Sequence, residues 1–236
     1  MVYPQRQQQL QKFVQRLGIA VEAKIDWHLL DLALTHPTVS TTANYEQLEF
    51  VGDAVVRLAA AELLYEHYSE LPVGEFAAIR SILVSDRVLA TVADNYGLER
   101  YLLLSPSALN DKSGYQSRMA QALEAVVAAL YLPSRTLALV RPWLDSHFQA
   151  MAATVLADPA RQNYKAALQE WSQGLYKTLP EYQVTEIAGG LDAHQRFHAQ
   201  VQVNGKVIGE GTGRSRKAAE QAAARVAFFT INPHVN

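Results

Sequence analysis

The sequence predicts two folds in series: an all-α domain of about 150 residues, then a small α+β domain ordered α-β-β-β-α. Three observations predict it. Through the first two thirds, apolar residues recur every three or four positions, the period of a helix with one buried face. After residue 180 the period falls to two, the period of half-buried strands. The charge also changes sign. Residues 1–162 hold 13 Lys+Arg against 17 Asp+Glu, and residues 163–236 hold 8 against 6, so net −4 precedes net +2 in a chain of net charge −2. For a polyanionic partner, the clustering of positive charge matters more than the total.

Composition narrows the chemistry. At 49% hydrophobic and 19% charged, the chain suits soluble globular domains with real cores. No apolar run approaches the ~20 residues of a membrane helix. The start, MVYPQRQQQLQKF, lacks the apolar stretch of a signal peptide. The expectation is a cytoplasmic protein with no membrane partner. There are no cysteines, which excludes disulfides, thiolate zinc sites and cysteine nucleophiles. Any metal must be held by oxygen or imidazole.

Helical patterns run through LQKFVQRLG, WHLLDLALTH, EQLEFVGDAVVRLAAAELLYEHY, FAAIRSILVSDRVLATVADNYG, RMAQALEAVVAALYL and TLALVRPWLDSHFQAMAATVLA. Pro and Gly punctuate between them at LPVGE (71–75) and LSPSALNDKSG (104–114). The polar, Pro-containing stretch 156–162 reads as a linker, giving domains 1–155 and 163–232. In the second domain NYKAALQEWSQGL is helical, and EYQVTEIA, QRFHAQVQVN and KVIGEGTG alternate. RKAAEQAAARVAFFTI is an Ala-rich helix with Ala219, Ala222, Ala223, Val226 and Phe229 as its expected core.

The third helical segment carries the first candidate site. Glu46, Glu49 and Asp53 sit at i, i+3 and i+7 and fall within roughly 60° on one face. Leu48, Val51, Val55, Leu58 and Ala59 fill the opposite arc, the expected core side. Three like charges on one stripe repel unless a cation neutralises them. A hard divalent ion such as Mg²⁺ would do so through oxygen ligands, and a solvated acidic face is the alternative. Gly52, inside this helix, costs roughly 1 kcal/mol against Ala and implies close approach of another chain segment. Phe50 projects beside the acidic stripe, away from the core arc, as a partner contact or a local packing feature. Glu124, alone in the apolar run ALEAVVAALYL, should be nearly buried, so its carboxylate needs a partner. Metal beside the first helix would serve, as would a salt bridge to Arg80 or Arg118. His36 reads as a general base or, by preference, a structural hydrogen bonder.

These residues carry a resemblance. NYEQLEFVGDAVV (44–56) resembles the ribonuclease III signature, whose core reads E-R-L-E-F-L-G-D. ALTHPT (33–38) resembles the segment before it, and ALEAVVAALYL (122–132) the later acidic helix of that family. The resemblance implies an endonuclease domain with Glu49, Asp53 and Glu124 at a metal centre. Glu46 would be a supporting acid, and Phe50 would insert into the partner of a homodimer. It implies Mg²⁺, with Mn²⁺ as a substitute. Each of the two centres would cut one strand of an RNA duplex, leaving 5′-phosphate and 3′-hydroxyl ends with two-nucleotide 3′ overhangs, in ribosomal or messenger RNA processing. One departure bears on activity: the family's later helix usually carries Asp where this chain has Gln121, a neutral metal ligand in its place. Gln47 replaces the signature's Arg, and Val73 stands where an acid often precedes the Gly.

The C-terminal module resembles the double-stranded RNA-binding domain, whose last helix opens G-x-G-x-S-K-K-x-A-E. Here Gly211, Gly213, Ser215, Arg216, Lys217, Ala219 and Glu220 follow that pattern. Arg214, Arg216 and Lys217 cluster at a helix start, where free N–H groups also favour phosphate. Gln169 and Gln173, one turn apart, could reach 2′-hydroxyls in the minor groove or be surface filler. His194 matches the loop that enters the next minor groove. The expected activity is metal-dependent cleavage of double-stranded RNA. The alternative is a homologue that binds RNA but has lost cleavage through Gln121. A helical di-metal enzyme acting on nucleotides is a weaker third reading, disfavoured by the C-terminal module.

Overall fold

A computed structural model of the chain describes residues 3–20, 22–158, 160, 163–187 and 195–232. It divides into two compact units, 1–153 and 154–236. Among the described residues no helix is long and apolar enough to cross a membrane.

The first unit is built from helices α1 (Pro4–Arg16), α2 (Trp27–Ala33), α3 (Glu46–His67), α4 (Val73–Leu83), α5 (Asp86–Asn95), α6 (Pro106–Asn110), α7 (Tyr115–Tyr131) and most of α8 (Arg141–Ala157), whose last residues, 154–157, fall in the second unit. Asp26 caps α2 by accepting from the N–H groups of His28 and Leu29, both at 3.0 Å. α7 is buried along nearly its whole length, from Arg118 to Leu130, and α3 and α5 pack against it. A helix apolar on every side belongs at the centre of its domain, and the composition of α7 dictates that place.

Three expectations change. The segment 76–97 is two helices. Ser85, extended at φ −74° and ψ 148°, starts α5 and breaks the run. The Pro-containing stretch 104–114 holds the short helix α6, with Ser105 accepting from the Ala108 N–H at 3.3 Å. On α3, Leu58 is exposed and Val51 only half-buried. The core side is instead Leu48, Val55, Val56, Ala59, Ala60, Leu63 and Leu64. Leu58 and Val51 lie at the edges of the arc.

The second unit has α9 (Tyr164–Tyr176), an antiparallel sheet β1–β2–β3 (Glu181–Glu186, Phe197–Val203, Lys206–Gly213) and α10 (Arg216–Ile231). Every second residue at the end of β3 is glycine, and α10 lies directly on them. A Cβ on Gly209 would come within 2.5 Å of the Ala223 carbonyl oxygen, and one on Gly213 within 2.6 Å of the Ala219 nitrogen. Strand and helix backbones touch because neither carries bulk there. The buried stripe of α10 is therefore Ala219, Ala223 and Ala227, with Ala224 and Phe228. Val226 is exposed and Ala222 half-buried, so these two lie outside the buried core expected for them, while Phe229 is half-buried and packs against it. Ala160 joins this core beside Tyr164 and Leu168.

Candidate metal centre and nucleic-acid interface

The start of α3 is set by the residues just before it. The Asn44 side chain accepts from the Glu46 N–H at 2.9 Å and donates to the Ser40 carbonyl at 3.0 Å. Tyr45 is buried, and its hydroxyl donates to Gln121 Oε1 on α7 at 3.1 Å. Glu46 and Glu49 occupy the first turn, where the helix dipole favours negative charge and offsets part of their repulsion.

Gly52 explains how the two acidic helices meet. A Cβ there would overlap the backbone carbonyl of Glu124 and lie 3.0 Å from its Cα. The close approach that the glycine implied is thus to the backbone of Glu124 itself. It lays the acidic face of α3 against the one acidic residue of the apolar part of α7.

Glu124 is 9% exposed, and no ion pair or hydrogen bond meets its carboxylate among the described residues. Burial first, then the charges of Asp53, Glu49 and Asp86, push its carboxyl up to about 8, opposed by Arg57. Glu49 is raised by burial, then by Glu46, Asp53 and Asp86. The salt bridge considered for Glu124 does not form. Arg80 is exposed, and Arg118 turns to Asp111. Six residues before Glu124, Arg118 lies about 120° round the helix from it.

Not every expected ligand turns inward. Asp53 is held by Arg57 one turn on, whose Nε donates to Oδ1 at 3.0 Å and Oδ2 at 2.9 Å. Gln121 commits its carbonyl oxygen to Tyr45. Among the described residues no three His, Asp or Glu side chains are gathered closely enough to hold an ion. Glu49, Asp53 and Glu124 share one electrostatic neighbourhood, but only Glu49 and Glu124 lack a cationic partner on the same helix. The donor set still fits a hard divalent cation: carboxylates, one of them on a residue only 9% exposed and pushed by burial toward its protonated form. Sequence reading missed Arg57 and Asp86. The Ser-Asp pair that starts α5 is the signal for Asp86, hidden once the segment is read as a single helix.

Phe50 stands 82% exposed beside this centre. His36 takes the structural role: its Nδ1 accepts from the Thr38 N–H at 3.1 Å, and its ring meets Tyr45 edge-on. Burial, then Arg118, lower its pKa.

In the second unit Ser215 caps α10 by accepting from the Ala218 N–H at 3.2 Å. Arg214, Arg216 and Lys217 are all exposed around that start. Gln169 and Gln173 are exposed on one face of α9. Lys165 ties α9 to α10 through Glu220 at 2.7 Å. His194 lies outside the described residues.

Comparison with known proteins agrees with both halves. The Ribonuclease III domain model matches residues 46–135, and the double-stranded RNA binding motif matches residues 164–228. A protein of Nostoc sp. named Ribonuclease 3 2 is 61% identical over 99% of this chain and 96% of its own. Ribonuclease 3 of Gloeobacter violaceus is 43% identical over 97% of this chain and 93% of its own. The nuclease domain of ribonuclease III from Campylobacter jejuni superposes with a TM-score of 0.50 at 27% identity, covering 61% of this chain and 95% of that one. An acidic helix pair joined through Gly52, followed by a module that binds double-stranded RNA, places the chain in the ribonuclease III family of endoribonucleases.

Proposed function

We propose that the chain cleaves double-stranded RNA with a divalent cation, Mg²⁺ or in its place Mn²⁺, held by Glu49 and Glu124. The products would be 5′-phosphate and 3′-hydroxyl ends with two-nucleotide 3′ overhangs, in ribosomal or messenger RNA processing. The observation that carries this reading is the buried, unpartnered carboxylate of Glu124 beside Glu49. Such a cation, when bound, supplies an activated water and neutralises charge on the phosphoryl group. The chain's own part is to hold the ligands. The Gly52 contact fixes the spacing of the two helices, and the dipole of α3 steadies Glu49 and Glu46. Arg57 holds Asp53 in reserve, at a half-exposed pair that gives way at little cost. Gln121 would serve as a neutral ligand on leaving Tyr45. Residues 156–162 would link the two domains.

The active form is proposed as a homodimer. Phe50 on α3 is a large aromatic with no cover in one chain. The Campylobacter jejuni nuclease domain has a structurally flexible region involved in dimer formation, and a like association would cover Phe50 here. RNA would be gripped by Arg214, Arg216 and Lys217 at phosphates, with Gln169, Gln173 and His194 toward the minor groove.

The second reading, binding without cleavage, draws on the engagement of Gln121 by Tyr45. A perfect RNA duplex incubated with rising Mg²⁺ separates the two. Discrete double-strand cuts are expected, and Gln121→Asp should shift the metal requirement down by about tenfold, the effect of ~1.4 kcal/mol in metal binding. Binding with no cleavage in Mg²⁺ or Mn²⁺ would establish the second reading instead. Arg216→Ala with Lys217→Ala should weaken duplex binding and reduce the salt slope by about 1 to 2. An unchanged slope in a filter-binding titration would remove the phosphate contacts from these residues.

A further inference from the structure

A cavity of about 440 Å³ opens in the first unit between the His36–Thr38 turn, α6 and the first turn of α7. Its charged walls are Asp111, which is exposed, and Arg118. Arg118 is 5% exposed, yet its guanidinium is poorly compensated. Nη2 donates to the Asp111 carbonyl at 3.1 Å, Nη1 lies 4.0 Å from Asp111 Oδ2, and buried Nε has no partner. Asp111 does not complete the pairing. Its Oδ1 already accepts from Ser113 Oγ at 2.6 Å and from the Ser113 and Gly114 N–H groups at 3.0 and 3.3 Å. A buried guanidinium normally meets a planar or tetrahedral oxyanion through its fork of N–H groups.

The other walls are neutral donors. Thr38, Ser107 and Ser117 bring hydroxyls, and Gln121 an amide. His36 accepts at Nδ1 from the Thr38 N–H, so its neutral ring carries the proton on Nε2 and can donate. Gly114 and Ser117 belong to the start of a 17-residue helix, whose dipole favours an anion. Gln121 lies one turn before Glu124, so the cavity borders the carboxylate centre.

We propose that this cavity is a phosphate site, in which Arg118 holds a phosphate group of the RNA beside the cutting centre. Binding there does not require cleavage, so the site stands or falls independently of the metal chemistry. The phosphate could be an internal phosphodiester or a terminal 5′-phosphate, which share one recognition chemistry.

Inorganic phosphate is the first probe, titrated into the full chain at constant ionic strength with chloride as control. The melting temperature should rise saturably, as it does for any ligand of the native state alone. Arg118→Gln should weaken this response at least tenfold. Ser117→Glu, at an exposed rim position that leaves Arg118 and the fold in place, should do the same by repelling the anion. Lys12→Ala, at an exposed cation on α1, should keep the response. An equal response in native protein and Ser117→Glu overturns the proposal, as does a response lost equally in the Lys12 variant. Duplexes with and without a 5′-phosphate then separate the sources. Weaker binding by Ser117→Glu to both assigns an internal phosphodiester, and weaker binding only to the phosphorylated duplex assigns the end. Loss confined to inorganic phosphate, with both duplexes bound as before, removes RNA as the ligand.

Discussion

Glu124→Gln should abolish cleavage and, in metal-free protein at pH 8, raise stability. Both halves follow from one carboxylate. The native carboxyl sits at about 8 against an ordinary value of 4.5, so the folded state prefers it protonated. Below 4.5 the group is protonated in folded and unfolded chains alike and contributes nothing to pH dependence. As pH rises from 4.5 towards 8, the unfolded chain ionises freely and the folded one does not, so stability is lost through that window and then levels off. The amide has no such penalty. At roughly 1.36 kcal/mol per pKa unit, Glu124→Gln should gain on the order of 2–4 kcal/mol at pH 8 and little at pH 4.5. Urea melts of chelator-treated protein at the two pH values measure this. The same carboxylate should make Mg²⁺ stabilising for the native chain and much less so for the amide. A variant no more stable than native at pH 8 would mean that the carboxylate is not held under strain.

Gly52→Ala should be strongly destabilising. The new Cβ meets backbone, the carbonyl of Glu124, which has no rotamer to escape into. Overpacking typically costs about 1–3 kcal/mol, and a rigid obstacle puts this case at or above the top of that range. At about 2–4 °C per kcal/mol for a domain of this size, the melting temperature should fall by roughly 6–12 °C. Cleavage should fall as well, because α3 can relieve the clash only by drawing Glu49 away from Glu124. A melting temperature within about 2 °C of native would refute the contact.

Much of this was legible in the sequence because local chemistry wrote it. The helix RKAAEQAAARVAFFTI runs to the residue as α10, Arg216–Ile231, because Ser215 caps it and Ala sustains it. Gly52 announced a close approach, and the approach is there. The misreadings share one physical origin, which is that periodicity cannot see a partner. Residues 76–97 kept a helical pattern across Ser85, since the two helices bury their faces in the same core. Leu58 and Val226 sit at the right spacing to be core, but among the described residues both stay exposed. Asp53 and Glu124 look alike as acids in a motif. Only their surroundings set one in an ion pair and the other in isolation, and Arg57 and Asp86 owe their importance to those surroundings.

The glycines of β3 have a consequence for how the RNA grip ages under mutation. Layers spaced by side chains shift whenever a methyl is gained or lost, since interiors are packed solid. Here the gap between sheet and helix is set by polypeptide thickness, at Gly209, Gly211 and Gly213 beneath Ala219 and Ala223. That gap is a ruler with no adjustable marks. Substitution elsewhere in the small domain can drift freely while Arg216 and Lys217 keep their height above the sheet. A single side chain placed on the ruler displaces both at once.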